Sequence, residues 1–142
     1  MDLNKLKILF TEEEIQARIK DLAKEMNQFY NGEEVIAICV LKGAVMFAVD
    51  LIKNLDMPLK LEFIRLSSYN GGTTTNGKVN FHTKSTKFCS LLDKKITRIA
   101  NVDADYYGFE VDDKFLIGYG LDYDGYYRNL RYIGYMEKSD LE

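Results

Sequence analysis

Apolar positions first recur at helical spacing between Thr11 and Tyr30. Ile15, Ile19, Leu22, Met26 and Phe29 line one stripe, the pattern of a helix that packs on something larger. Thr11-Glu-Glu-Glu14 has capping-box spacing, in which the hydroxyl and Glu14 satisfy free amides of the first turn. Asn31-Gly32 stops the helix. Val35-Ile-Ala-Ile-Cys-Val-Leu41 is then apolar at every position and rich in β-branched side chains. Such a run predicts a strand covered on both faces, as in a parallel sheet. It ends in Lys42-Gly43, and Ala44 to Leu55 resumes as helix. Pro58 separates that helix from Leu59 to Leu66, a strand that alternates in its first half.

Ser67 to Gly77 is small, polar and glycine-rich, with one aromatic, Tyr69. It reads either as a solvated connection or as a lid with few apolar contacts, and long loops in compact domains lean toward function. Lys78 to Asn80 begins a strand-like segment, and Phe81 to Lys87 is short, polar and basic. Phe88-Cys-Ser-Leu-Leu92 is another buried strand, ending in Asp93-Lys94-Lys95. If it runs parallel to the earlier strands it needs a crossover of about a dozen residues or more. The residues between cannot supply one, and no Asp or Glu occurs from Phe63 to Leu92.

Asp105 to Arg128 predicts two short aromatic-rich strands joined at Asp112-Asp113, then a Gly118-Tyr-Gly120 bend and a loop alternating carboxylates with tyrosines. A packed core has no need of Asp122 and Arg128 so near Phe115 and Tyr119. A site holding a flat ring beside a charged group does. The bland reading is an aromatic hairpin closing a sheet edge, and residue types alone do not choose between the two.

Composition narrows the class. At 142 residues with a formal charge of −3, the chain is expected to be one domain with a sizeable core. No polybasic tract points to nucleic acid or an anionic membrane surface, and no apolar run is long enough to span a bilayer. The N-terminus lacks a signal peptide's uninterrupted apolar region. Cys39 and Cys89 each sit in an apolar segment and read as buried thiols in a reducing, cytoplasmic compartment. His82, the one histidine, has no carboxylate neighbour to orient it and reads as a surface residue. The strand, Lys42-Gly43 turn and following helix together make a candidate anion site, because free amides, the positive helix end and the Lys42 charge face one loop.

Val40-Leu41-Lys42-Gly43, Ser67-Ser68-Tyr69, Leu91-Leu92-Asp93-Lys94, Asp105-Tyr-Tyr-Gly-Phe-Glu110, Gly118-Tyr-Gly-Leu-Asp-Tyr123 and Tyr127-Arg-Asn-Leu130 occur in the same order as in hypoxanthine phosphoribosyltransferases, which the chain resembles over nearly its whole length. That family uses magnesium to transfer ribose 5-phosphate from phosphoribosyl pyrophosphate (PRPP) to hypoxanthine or guanine, giving IMP or GMP and pyrophosphate. The resemblance implies that Leu41, Lys42 and Gly43 form the pyrophosphate turn, with a cis Leu41–Lys42 peptide. Ser68 and Tyr69 would belong to a lid that excludes water. Lys94 would donate to the purine's exocyclic oxygen, Phe115 would stack on the base, and the Leu116 carbonyl would accept from the ring edge. Asp122 would bind Mg2+ carried by pyrophosphate, and Arg128 would clamp pyrophosphate oxygens.

The chain also departs from the pattern. Family members carry, between the lid and the Leu-Leu-Asp-Lys strand, a further strand with an acidic pair, an Asp-Thr-Gly loop that cradles the 5′-phosphate, and a helix. Here Asn80 runs almost directly into Phe88, so the family's general-base Asp is absent and no catalytic residue is identified. The expected fold is α/β: a type I phosphoribosyltransferase-like, mostly parallel sheet with helices on both faces and one inner strand and helix deleted. About residues 1–100 form its core and about 101–142 a C-terminal hood. The expected function is purine-salvage transfer, weak or absent because positioning PRPP can supply roughly 7–11 kcal/mol of a barrier. The alternative is a non-catalytic deletion form that binds purine or pyrophosphate weakly, or whose opened sheet assembles into a swapped or repacked homo-oligomer.

Overall fold

A computed structural model of the chain describes residues 3–65, 86–95, 103–137 and 139. The first apolar stripe is α1 (Glu12–Tyr30). Both halves of its capping box form: the Glu14 amide donates to the Thr11 hydroxyl at 3.2 Å, and the Thr11 amide donates to the Glu14 carboxylate at 2.8 Å. Asn31 takes the left-handed conformation that ends the helix. Ile15, Ile19, Leu22 and Met26 are buried, but Phe29 is exposed. In the last turn it meets the edge of Tyr30 instead, with the Lys87 ammonium 5.3 Å from its ring.

The continuous apolar run is β2 (Val35–Leu41), joined through α2 (Val45–Ile52) to β3 (Leu59–Arg65). The two strands pair in parallel, with Val35 opposite Leu59 and Leu41 opposite Arg65. Coverage on both faces does not follow. Cys39 is buried on one face, whereas Ile36 and Val40 on the other are 61% and 41% exposed. No helix follows β3 among the described residues.

A second parallel pair is formed by β4 (Cys89–Asp93) and β5 (Tyr106–Glu110). Asp105 fastens its start by accepting from the Phe88 amide at 2.8 Å and pairing with Lys87 at 3.3 Å. The third sheet is antiparallel, in the order β1 (Lys7–Phe10), β7 (Ile133–Met136), β6 (Phe115–Ile117). The aromatic strands around Asp112-Asp113 are therefore not a hairpin: β5 joins the parallel core and β6 joins the hood. The hood, expected from the C-terminal residues, also takes in the N-terminal strand β1.

The α/β class holds, since pairing within β2 to β5 is parallel and antiparallel pairing between strands is confined to the hood. The core centres on α1, whose Ile15, Ile19 and Leu22 pack in one cluster with Phe47 and Leu51 of α2, Leu91 of β4, and Tyr119 and Ile133. Phe10 of β1 stacks on Phe109 of β5 with ring centroids 4.1 Å apart, tying hood to core. Both cysteines are free thiols. Burial raises Cys39 and pushes Cys89 up to about 12, so neither is a nucleophile at neutral pH. Among the described residues no helix is long and apolar enough to cross a membrane.

Candidate functional site

The expected residues fall into two groups joined by one loop. In the first, Lys94 follows β4 and reaches the start of β6. Its ammonium donates to the Lys114 carbonyl at 2.9 Å and pairs with Asp113 at 3.2 Å. Phe115 is next in the chain, 39% exposed, with Tyr123 edge-on at a centroid distance of 5.9 Å and an interplanar angle of 85°. A large ring left this open on a three-residue strand offers a stacking face. β6 is also the edge of its sheet, bonded only to β7 among the described strands. Leu116 therefore sits on a strand with one unpaired backbone edge, where a ligand's ring edge can be read.

The second group forms where the β2–α2 turn meets the Gly118–Tyr127 loop. The Leu41–Lys42 peptide is cis, as the resemblance implies, and the Lys42 side chain is exposed. Gly43 lies against the loop so closely that a Cβ on Gly120 would fall 2.1 Å from the Gly43 carbonyl oxygen. A Cβ on Gly43 would come within 3.8 Å of the Arg128 guanidinium. Gly120 has φ +95°, which glycine adopts freely. Arg128 donates to the Gly120 carbonyl and forms an ion pair with Asp122 at 2.6 Å, and the Gly125 amide donates to the same carboxylate at 2.8 Å. The turn, Asp122 and Arg128 thus share one corner, and Tyr123 connects that corner to Phe115.

Asp122 is one hard-oxygen donor, and among the described residues no cluster of three or more His, Cys, Asp or Glu forms. A lone carboxylate suits Mg2+ that takes most of its ligands from phosphate and water, rather than an all-protein cage. Ser68, Tyr69 and His82 lie outside the described residues.

Three partners were not read from the sequence: Asp113 on Lys94, Tyr123 on Phe115, and Asp50 of α2, which accepts from the Tyr119 hydroxyl at 2.6 Å. Only Asp50 left a signal, as the one charge in the otherwise apolar octet of α2.

A β-turn-α unit with a cis Leu-Lys-Gly turn, facing a hood that supplies carboxylate, arginine and open ring, defines a phosphoribosyl transferase domain, and residues 6–86 match the family model of that description. A hypoxanthine-guanine phosphoribosyltransferase of Bacillus subtilis is 37% identical over 172 residues, covering 96% of each chain. A solved hypoxanthine-guanine phosphoribosyltransferase of Bacillus anthracis superposes with a TM-score of 0.83 at 32% identity, covering 91% of this chain and 96% of that one. A hypoxanthine phosphoribosyltransferase of Trypanosoma cruzi, solved with its product IMP, gives 0.80 at 34% identity, covering 94% and 91%. The chain belongs to the hypoxanthine-guanine phosphoribosyltransferase family. The Bacillus subtilis match is longer than the 142 residues of this chain although it takes in 96% of them. The relative therefore carries internal residues that this chain lacks.

Proposed function

We propose that this chain keeps the purine end and the pyrophosphate end of a purine-salvage phosphoribosyltransferase, and that it transfers ribose 5-phosphate from PRPP to hypoxanthine or guanine weakly or not at all. The observation that carries the reading is the loop from Gly118 to Arg128. It brings Asp122 and Arg128 onto the Lys42-Gly43 turn while its Tyr123 braces Phe115.

In this reading Lys94 donates to the exocyclic oxygen of the base, an interaction that an exocyclic amine cannot accept, so adenine is refused. Phe115 stacks on the ring, and the Leu116 carbonyl accepts from its edge. Lys42, the Gly43 amide and Arg128 hold pyrophosphate oxygens, with Leu41 setting the turn and Asp122 directed at the metal. When bound, Mg2+ supplies charge neutralisation for the pyrophosphate. Ser68 and Tyr69 belong to the covering lid. The missing relative-specific residues are assigned to the stretch between Asn80 and Phe88, which removes the ribose-phosphate cradle and the proton acceptor for the purine nitrogen. The protein is read as a single cytoplasmic domain without nucleic-acid or membrane partners.

Calorimetric titration with hypoxanthine and with magnesium pyrophosphate tests the reading. Heat from each ligand is expected, with adenine silent. Silence from both hypoxanthine and pyrophosphate would remove both ends of the site.

One observation favours a second, non-catalytic role in self-assembly. Ile36 and Val40 leave apolar surface open on one face of the β2–β3 pair, and an oligomer would cover it. Sizing by light scattering is expected to return a multiple of 16.4 kDa; a monomer at all concentrations would eliminate this role.

A further inference from the structure

The Tyr119 hydroxyl donates to Asp50 Oδ2 at 2.6 Å, although the two residues belong to the hood loop and to α2. The same carboxylate oxygen accepts from the Gln16 amide of α1 at 2.9 Å, and Oδ1 pairs with the Lys53 ammonium at 2.9 Å. One carboxylate therefore joins α1, α2 and the loop. Tyr119 is 7% exposed and holds φ +48° between Gly118 at +101° and Gly120 at +95°. A left-handed conformation is uncommon for a bulky side chain and is kept here where both ring and hydroxyl are fixed.

Backbone bonds set the loop around it. Gly118 and Leu121 exchange N–H and C=O at 3.0 Å each way, and the Tyr119 and Gly120 amides donate to the Leu130 and Arg128 carbonyls, both at 2.9 Å. Gly120 is pressed on the Gly43 carbonyl and receives Arg128. The turn that opens α2 and the loop that carries Asp122 and Arg128 are thus held in one geometry from two sides. Backbone contact acts at the site, and the Tyr119–Asp50 bond acts at the far end of the short helix.

We propose that Tyr119 and Asp50 are positioning residues that fix the separation between the Lys42-Gly43 turn and the Asp122–Arg128 corner, and thereby set affinity for a magnesium-bound diphosphate without touching it. Burial, the bond to Asp50 and the charge of Asp50 all hold the Tyr119 hydroxyl protonated, and its bond joins those of Lys53 and Gln16 in keeping Asp50 ionised despite its burial. The tie is therefore made at every physiological pH and acts as a fixed brace. The purine end lies on β6, which has its own pairing with β7 to hold it, so loss of the brace should reach it less. This inference rests on the pyrophosphate reading of the corner.

The test is calorimetric titration of the whole chain, as wild type, Tyr119→Phe, Asp50→Asn and the double variant, with magnesium pyrophosphate and separately with hypoxanthine. Tyr119→Phe keeps the ring and its packing, and Asp50→Asn keeps the helix, so each checks the other if one loses its fold. Each single variant is expected to weaken pyrophosphate about tenfold, the scale of one lost charge-assisted hydrogen bond, and to change hypoxanthine less than about twofold. The double variant should be no weaker than the worse single one, because both remove the same bond. Unchanged pyrophosphate affinity in both single variants, or equal weakening of both ligands, overturns the brace while leaving the site intact. A wild-type chain that binds hypoxanthine but no pyrophosphate overturns the brace together with the reading beneath it.

Discussion

Asp122 and Arg128 pair at 2.6 Å, and in the proposed reading each would take a counter-charge from a metal-bound diphosphate. On that reading binding would exchange this one pair for two, cation on Asp122 and phosphate oxygens on Arg128, with little net loss of Coulomb energy. Asp122→Asn is expected to abolish the stimulation of pyrophosphate binding by Mg2+, while leaving metal-free binding within a few-fold; titrations with and without Mg2+ read this directly. A second residue-scale outcome concerns acid. Burial alone would raise the Asp50 carboxyl, but hydrogen bonds from Tyr119, Lys53 and Gln16, with the Lys53 charge, outweigh it and hold it below its ordinary value of 3.8. A carboxyl depressed by folding contributes stability above its unfolded value and loses that contribution as pH falls through the folded one. The melting temperature should therefore fall on acidification below about pH 4, and fall less steeply in Asp50→Asn, as thermal melts across that range would show. At this scale the sequence picked out candidate residues, because Lys42-Gly43, Lys94, Phe115, Asp122 and Arg128 sit in ordered motifs. Their partners were harder to read: nothing near Lys94 in the chain points to Asp113, and the lone charge of α2 marks Asp50 without pointing to Tyr119.

At the scale of elements, α1 was readable from end to end because its start, stripe and stop are local chemistry. Thr11→Ala should cost about 1 kcal/mol by removing one side of the capping box, measurable as a shift in the denaturation midpoint. Ile19→Ala, at a fully buried position, should cost roughly 2–5 kcal/mol. If it cost no more than the cap variant, α1 would not be the centre of the core. The strands were less legible. Lys7-Ile-Leu-Phe10 carries no alternation, and its partner Ile133–Met136 is almost a chain length away; pairing over that span is a tertiary outcome. β5 and β6 looked like one hairpin because Asp112-Asp113 is turn chemistry. Competing parallel contacts won: the Asp105 clasp on Phe88 and the Val111 amide bond to the Asp93 carbonyl at 3.0 Å continue the β4–β5 ladder instead.

Over the whole molecule, the parallel strands form two separate pairs among the described residues, and the family comparison shows internal residues in a relative that this chain lacks. The sequence foreshadowed this shortening through a crossover too short to build and a carboxylate-free stretch from Phe63 to Leu92. It did not foreshadow the exposed face of β2, because seven consecutive apolar residues read the same whether one face or two is covered. The two ends of the substrate site are proposed to persist without the piece that positions ribose phosphate between them. A steady-state assay with hypoxanthine, PRPP and Mg2+, following IMP, tests this most directly. The expected result is IMP formed at less than about one-hundredth of ordinary enzyme turnover, which is roughly 1–1000 per second, or none. Turnover within that ordinary range would contradict the account, since the chain would then be positioning PRPP by residues other than those assigned.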